Sequence, residues 1–394
     1  MMQVFHTKSR IVITCNKRLS TYLQQEVEAL GYKTTRSFST GVELEGTIND
    51  CIALNLNLRC ASQVLYHLKS FEAENPARLY KELLEFEWEN LIDFTGYFSV
   101  TSNVDNDTIT TPLFANLKVK DAIVDRIKDK KGIRPNSGSD GNKAVIHLYW
   151  KDNNADIFID TSGETLAKHG YRKIPGKAPM LEALACGSIM ATGWDKKSPF
   201  VVPMCGSGTL AIEAALLATD RAPGLFRMNY SFMHIMGYEE EVFFAERRKL
   251  KDQSKKETEA KIVATDISED AVNISIRNAQ TAGVDHLIDF SVSDFAETPV
   301  PEEPGVIIFN PEYGERLGVH SKLEATYKRM GDFMKSKCMG YRGYIFTGNP
   351  DLAKKIGLRA SKRIEFYNGK LDCRMLEYEL YQGSKREPKE QESE

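Results

Sequence analysis

Long apolar runs are missing from this 394-residue chain. Nothing approaches the ~18 to 20 consecutive apolar residues of a membrane span, and no signal-peptide core stands near the N-terminus, so a cytoplasmic location without a membrane partner is expected. Paired cysteines are missing too. The seven, at positions 15, 51, 60, 186, 205, 338 and 373, are scattered, odd in number and contain no Cys-x-x-Cys spacing. A disulfide framework and a zinc site are thereby disfavoured: no metal is expected, and the thiols should be buried and reduced. An excess of one charge is also lacking, with 52 Lys and Arg against 55 Asp and Glu and a net charge of −3. That excludes a uniformly basic coat, so any contact with nucleic acid must be local. What remains, 42% hydrophobic and 27% charged, suits a globular chain with two or three domains.

The first 70 residues read as a small α/β unit. Strand Ile11 to Cys15 is followed by an amphipathic helix near Leu19 to Leu30, strands Thr34 to Phe38 and Gly41 to Leu44, and a helix opened by Thr47 with Asp50 in a capping-box position. Between 71 and 93 seven acids face two bases, a pattern of a solvated helix face. The balance reverses further on: eight Lys or Arg stand against four Asp from Lys118 to Lys143. On the helix there, Ala122, Ile123 and Ile127 share the core side, which leaves Lys118, Arg126, Lys130 and Lys131 outward. Strands His147 to Trp150 and Ile157 to Asp160 complete this region. A second basic cluster, Lys168, Arg172, Lys173 and Lys177, falls among Gly170, Pro175 and Gly176 and reads as a linker that could also touch phosphates.

Beyond an apolar helix from Pro179 to Thr192, the strand Phe200-Val201-Val202 meets Pro203-Met204-Cys205-Gly206-Ser207-Gly208-Thr209 and then the helix Leu210 to Ala218. A strand, a glycine turn and a helix N-terminus let backbone approach a ligand closely and offer it unpaired N–H groups, although a tight turn explains a lone Gly-x-Gly equally well. The next strand closes on Asp266, placed to accept from ribose hydroxyls. It lies 58 residues after Gly208 rather than ~20, which points to an insertion at about 221–260, expected to cover the sheet edge. Further strands end at Asp294 and at Asn310.

In Val306-Ile307-Ile308-Phe309-Asn310-Pro311-Glu312-Tyr313 a β-branched and aromatic run stops on a proline. It reads as a buried parallel strand with Asn310 at its carboxyl end, the edge where open α/β sheets bind ligands. A plain Asn-Pro turn is the alternative for these residues alone. Downstream, Asn368-Gly369 between two strand-like runs signals a hairpin.

The string Asn310-Pro311-Glu312-Tyr313 is similar to the Asn-Pro-Pro-Tyr motif of S-adenosylmethionine-dependent amino-methyltransferases. With Gly314-Glu315-Arg316-Leu317-Gly318 it resembles the RNA guanine-N2 methyltransferases that carry a THUMP domain, the 23S rRNA enzymes among them, a group often labelled N6-adenine-specific DNA methylases. Val119-Lys120-Asp121-Ala122-Ile123-Val124-Asp125 likewise resembles the core of THUMP domains. Two positions depart from the pattern: Glu312 replaces a second proline, and Val202 stands where the family's glycine-rich motif has Asp.

The resemblance implies an α/β chain. A ferredoxin-like subdomain would span 1–65, a THUMP RNA-binding domain 66–165, a linker 166–178 and a class I, Rossmann-like seven-stranded methyltransferase domain 179–382, with a disordered tail at 383–394. It implies S-adenosylmethionine as cofactor, held by Pro203, Cys205, Gly206, Ser207, Gly208 and Thr209, by Asp266 and Ile267, by Asp294 and Phe295 at the adenine, and by Asn310. Catalysis would fall to Asn310, Pro311 and Tyr313. Structured RNA would meet Lys118, Lys120, Arg126, Lys130, Lys131 and Arg134, together with Lys168, Arg172, Lys173 and Arg316. The expected reaction is methylation of a guanosine N2 amine in ribosomal RNA. Transfer RNA, adenine-N6 methylation of DNA and a non-catalytic RNA-binding assembly factor stay open as alternatives.

Overall fold

The computed structural model describes residues 4–174, 179–312 and 320–381. Contacts divide the chain into two units, the first comprising Met1–Tyr171, Leu181–Gly187 and Asp220–Lys255, the second Arg172–Met180, Ser188–Thr219 and Lys256–Glu394. In chain order the first unit contains β1 (Ser9–Cys15), α1 (Ser20–Ala29), β2 (Thr34–Phe38), β3 (Gly41–Gly46), α2 (Ile48–Asn57), β4 (Ala61–Glu72), α3 (Pro76–Leu84), β5 (Tyr97–Asp105), α4 (Pro112–Lys131), β6 (Asn136–Gly138), β7 (Ala144–Lys151) and β8 (Asn154–Asp160). The chain continues through α5 (Glu182–Ala191), β9 (Phe200–Pro203) and α6 (Thr209–Ala218) before α7 (Glu240–Gln253) returns to the first unit. It closes the second with β10 (Ile262–Asp266), α8 (Glu269–Ala282), β11 (Ile288–Val292), β12 (Val306–Phe309), α9 (His320–Lys337), β13 (Arg342–Thr347), α10 (Pro350–Lys354), β14 (Lys362–Asn368) and β15 (Leu371–Glu379).

One eight-stranded sheet, β2-β3-β1-β4-β8-β7-β5-β6, runs through the first unit. Its centre is β4, twelve residues long, whose alternation is too irregular to announce a strand from sequence and which spans the expected boundary between residues 65 and 66. Local chemistry sets the helix ends. Thr47 and Asp50 form the reciprocal capping box of α2, with Asp50 Oδ2 accepting from Thr47 N–H at 2.7 Å and Thr47 Oγ1 accepting from Asp50 N–H at 3.2 Å. Pro112 opens α4, and Gly132 closes it in the left-handed conformation at φ 74°.

The insertion, expected to cover the sheet edge, groups instead with the first unit as Asp220–Lys255. Its aromatic residues find partners there: Tyr230 stacks on Phe232 at 5.1 Å, and Phe243 meets Tyr230 edge-on at 6.1 Å. The Arg247 guanidinium gathers the carbonyls of Gly224, Leu225 and Arg227, and Asn57 of α2 donates to Glu246 of α7 at 3.0 Å. Gly224 lies so close to α2 that a Cβ would fall 2.5 Å from Leu56 Cα.

The second unit is a seven-stranded sheet in the order β11-β10-β9-β12-β13-β15-β14. The first five are parallel; β15 enters antiparallel between β13 and β14, and Gly369 at φ 62° turns the hairpin. Strand order reverses between β9 and β12, so their carboxyl ends border the crevice where such sheets take ligands. Among the described residues no helix is long and apolar enough to cross a membrane.

Candidate active site

The glycine turn after β9 is built from three left-handed residues, Met204 (φ 62°), Gly206 (φ 57°) and Gly208 (φ 83°). The two glycines serve different ends. A Cβ on Gly208 would sit 3.0 Å from Ser275 of α8, so this position is closed by packing; a Cβ on Gly206 would meet nothing within 4 Å, so its backbone forms an open ledge. The turn is held from several sides: Ser275 Oγ donates to Gly206 O at 2.8 Å, Asn278 Nδ2 to Ser207 O at 3.2 Å, and Arg172 Nη2 to Thr209 Oγ1 at 2.7 Å and Met180 O at 2.6 Å. Ser275 and Asn278, one turn apart on α8, escape a motif reading because their partners lie about 70 residues away.

The N–H groups of the two glycines are not unpaired, contrary to the sequence reading. Gly208 donates to Cys205 O at 2.9 Å, and Gly206 donates to Asp266 Oδ2 at 2.9 Å. The carboxylate at the end of β10 thus fixes the turn at the end of β9, while its Oδ1 accepts from Ser268 N–H. Ile267 beside it is 73% exposed, an unusual position for isoleucine and one that leaves an apolar surface at the strand ends. Burial pushes the Cys205 thiol up to about 12, so it stays protonated and is no nucleophile. Val202 is fully buried opposite Ala264 of β10, so the departure from the family pattern is a core residue of the sheet.

At the end of β11, Asp294 Oδ1 accepts from Ala296 N–H at 2.9 Å and from Arg329 Nη2 of α9 at 2.8 Å. The same guanidinium lies 4.8 Å from the centre of the Phe295 ring. Phe295 is buried and edge-on to Phe309 and Phe333, which makes it a floor under Asp294 rather than an exposed contact. Arg329 joins the candidate site through this bond, and nothing local in the sequence marks it, since its partner Asp294 lies 35 residues away.

Asn310 follows β12 directly. Its Oδ1 is buried and has no hydrogen-bond partner among the described residues, while Pro311 is buried and Glu312 exposed. Tyr313 and Arg316 lie outside the described residues. The ends of β11, β10, β9 and β12, four neighbouring strands, therefore bring Asp294, Asp266, the glycine ledge and Asn310 to one edge.

In the first unit the expected outward cations differ from one another. Lys130, Lys131 and Arg134 are exposed, as are Lys168 and, in the second unit, Lys173. Arg126 is not free: it makes a two-pronged contact with Glu89 at 2.9 and 3.1 Å, both side chains less than one-fifth exposed. Lys120 pairs with Asp121 at 3.1 Å, and Lys118 lies over the Phe114 ring at 5.5 Å.

The strand order of the second unit, with its antiparallel β15 inserted before β14, defines a class I Rossmann-like methyltransferase fold. The chain belongs to the family described as "UPF0020: RMKL-like, methyltransferase domain", matched over residues 169–377. An RlmL ferredoxin-like domain matches residues 10–65 and a THUMP domain residues 73–160. The chain is 35% identical over 370 residues to a protein of Psychromonas ingrahamii named "Ribosomal RNA large subunit methyltransferase K/L", covering 92% of this chain and 49% of the relative. It is 34% identical to the protein of that name from Cellvibrio japonicus, over 93% and 50% of the two. It thus spans about half the length of these curated relatives. Among solved structures, SMU.472, provisionally described as a methyltransferase and solved in complex with SAH, superposes with a TM-score of 0.86 at 25% identity, covering 96% of this chain and 99% of that one. A possible methylase from Clostridium difficile 630 gives the same TM-score at 29% identity, over 96% and 100% of the two chains.

Proposed function

We propose that the chain is an S-adenosylmethionine-dependent RNA methyltransferase that modifies the exocyclic N2 amine of a guanosine in large-subunit ribosomal RNA, in the cytoplasm. The observation that carries this reading is the buried Asn310 Oδ1, which has no partner among the described residues. An unmet buried acceptor costs about 1 to 3 kcal/mol, a cost that a substrate N–H donor would relieve.

The strand ends fit the cofactor that SMU.472 was solved with in its demethylated form, SAH. The ledge at Gly206 is open to close approach, and Ile267 offers an apolar surface beside it. A carboxylate has roughly four lone-pair sites, so Asp266 keeps capacity for ribose hydroxyls beyond its two backbone donors. Asp294, with Oδ1 engaged by Ala296 and Arg329, has Oδ2 to accept from an adenine amino group. When bound, S-adenosylmethionine supplies an electrophilic methyl group on a sulfonium.

The chain's own task is to orient the amine. An exocyclic amine is a weak nucleophile because its lone pair is delocalised into the base. Acceptance of its two N–H groups by Asn310 Oδ1 and the Pro311 carbonyl draws the nitrogen toward tetrahedral geometry and frees that lone pair. Tyr313 would stack on the extruded base. The names of the curated relatives support ribosomal RNA as the substrate, and a THUMP domain supports a structured RNA.

Methylation of undermodified large-subunit rRNA with an isotopically labelled methyl donor, followed by digestion to nucleosides and mass spectrometry, tests the reading. N2-methylguanosine is expected. N6-methyladenosine would overturn the amine assignment, and labelling of transfer RNA alone would overturn the substrate.

A further inference from the structure

Three large apolar side chains stand in the open on the first turns of α4: Leu113 is 66% exposed, Phe114 42% and Leu117 43%. They are not the core side of the helix, which is Ala115, Val119, Ala122, Ile123 and Ile127, all fully buried. Spacings of three and four make Leu113, Phe114 and Leu117 one contiguous patch on an α-helix. Two lysines flank it. Lys118, one turn beyond Phe114, holds its ammonium 5.5 Å from the ring centre, and Lys120, three residues beyond Leu117, pairs with Asp121 at 3.1 Å. From Thr108 to Lys120 there is no acidic residue.

We propose that this patch is a stacking site for an unpaired nucleotide of RNA, with Phe114 against the base face, Leu113 and Leu117 beside it, and Lys118 meeting a flanking phosphate. The inference rests on the RNA-substrate reading above and deepens it, by assigning the recognition of single-stranded RNA to one end of α4. The chemistry selects the occupant. An aromatic face edged by the Lys118 ammonium complements a base and its phosphate, whereas a purely apolar partner would gain nothing from that lysine. Stacking is tolerant of sequence because every base has a π face, so the site serves affinity for unpaired segments and not identity of the base.

Fluorescence anisotropy with the full chain tests this, using a 15-nucleotide single-stranded oligoribonucleotide of mixed sequence and a blunt hairpin of the same composition as probes. Phe114→Ala should weaken single-strand binding about tenfold, the scale of one lost base–aromatic stack, and change hairpin binding less than about twofold. Phe114→Trp should keep the affinity and show quenching of its indole emission by the single strand. Lys118→Ala should lower the log–log salt slope for the single strand by about 0.7. Wild-type affinity for both probes in a folded Phe114→Ala variant would overturn the patch while leaving the RNA reading intact. The same would follow if Phe114→Ala spared both probes but abolished capture of a large-subunit protein, which would make the patch a protein-docking surface. Failure of the wild type to bind either probe would overturn the RNA reading and the inference with it.

Discussion

Gly206 donates its backbone N–H to Oδ2 of Asp266 at 2.9 Å, tying the turn after β9 to the end of the neighbouring strand β10. One carboxylate therefore shapes the glycine ledge and, in the proposed function, faces the ribose. Asp266→Ala should lower S-adenosylmethionine affinity roughly ten- to hundredfold, the equivalent of about 1.5 to 3 kcal/mol for a charged hydrogen bond. Titration calorimetry on folded protein measures it, and equal affinity in wild type and variant would remove Asp266 from the site.

The two glycines of the turn should respond differently to alanine. Gly206→Ala adds a Cβ into open space at φ 57°, so its stability cost is the ~1 to 2 kcal/mol of a left-handed alanine and its main effect falls on the cofactor. Gly208→Ala adds the same strain at φ 83° and places its Cβ 3.0 Å from Ser275, so it should lower the melting temperature further. Denaturation curves beside cofactor titrations distinguish them. Equal stability loss in both variants would contradict the assignment of one glycine to ligand approach and the other to packing.

Arg329 should matter more to the ligand than to the fold. Its pair with Asp294 is half exposed on the arginine side and contributes less than about 1 kcal/mol to stability. Arg329→Ala, by releasing the Asp294 carboxylate, should weaken S-adenosylhomocysteine several-fold while S-inosylhomocysteine, which lacks the 6-amino group, changes little. A matching loss for both ligands would assign Arg329 a merely structural role.

These residues also mark what could be read in the sequence. The apolar run Val306–Phe309 ending at Pro311, the Thr47–Asp50 capping box and the Asn368-Gly369 hairpin are local signals, and the structure contains each of them. The seven-stranded order of the second unit, implied by the resemblance, is there too, and two of its parallel strands, β9 and β12, are apolar and buried throughout. Strands β4 and β5 were illegible because Ala61–Glu72 and Tyr97–Asp105 mix polar and apolar side chains without a sustained alternation. The grouping of the insertion with the first unit is not legible for a different reason: a cluster of aromatics declares that it is buried but not against what. Arg126 reads as outward only because Glu89, its partner, stands 37 residues earlier. At the candidate site the sequence showed Asp266, Asp294 and Asn310 at their strand ends, but not the hydrogen bond that closes Gly206 onto Asp266.

Two buried groups in the first unit should give its stability opposing responses to pH. Burial pulls His147 down to about 4, against about 6.5 in an unfolded chain, so the unfolded chain holds the extra proton between those values. Its contribution is complete above pH ~6.5 and lost as pH falls through ~4, on the order of 3 kcal/mol. Asp160 is pushed up to about 6 by burial, so the folded chain holds its extra proton above the ordinary carboxylate range, and that contribution is lost as pH rises through ~6. His147→Gln should therefore flatten the acid-side fall in stability, and Asp160→Asn should make stability rise more steeply between pH ~4 and ~6. Urea denaturation across pH ~4 to ~7 checks both signs, and unchanged slopes in the variants would contradict the assignment.

The central claim is that Asn310 orients the target amine, and Asn310→Ala tests it most directly through single-turnover methylation of undermodified large-subunit rRNA. The account predicts that the rate falls about a hundredfold or more, the scale of losing one preorganised polar contact from a transition state, while melting temperature, cofactor affinity and RNA affinity stay near wild type. A variant that methylates at the wild-type rate per folded molecule, whatever its melting temperature, would contradict it.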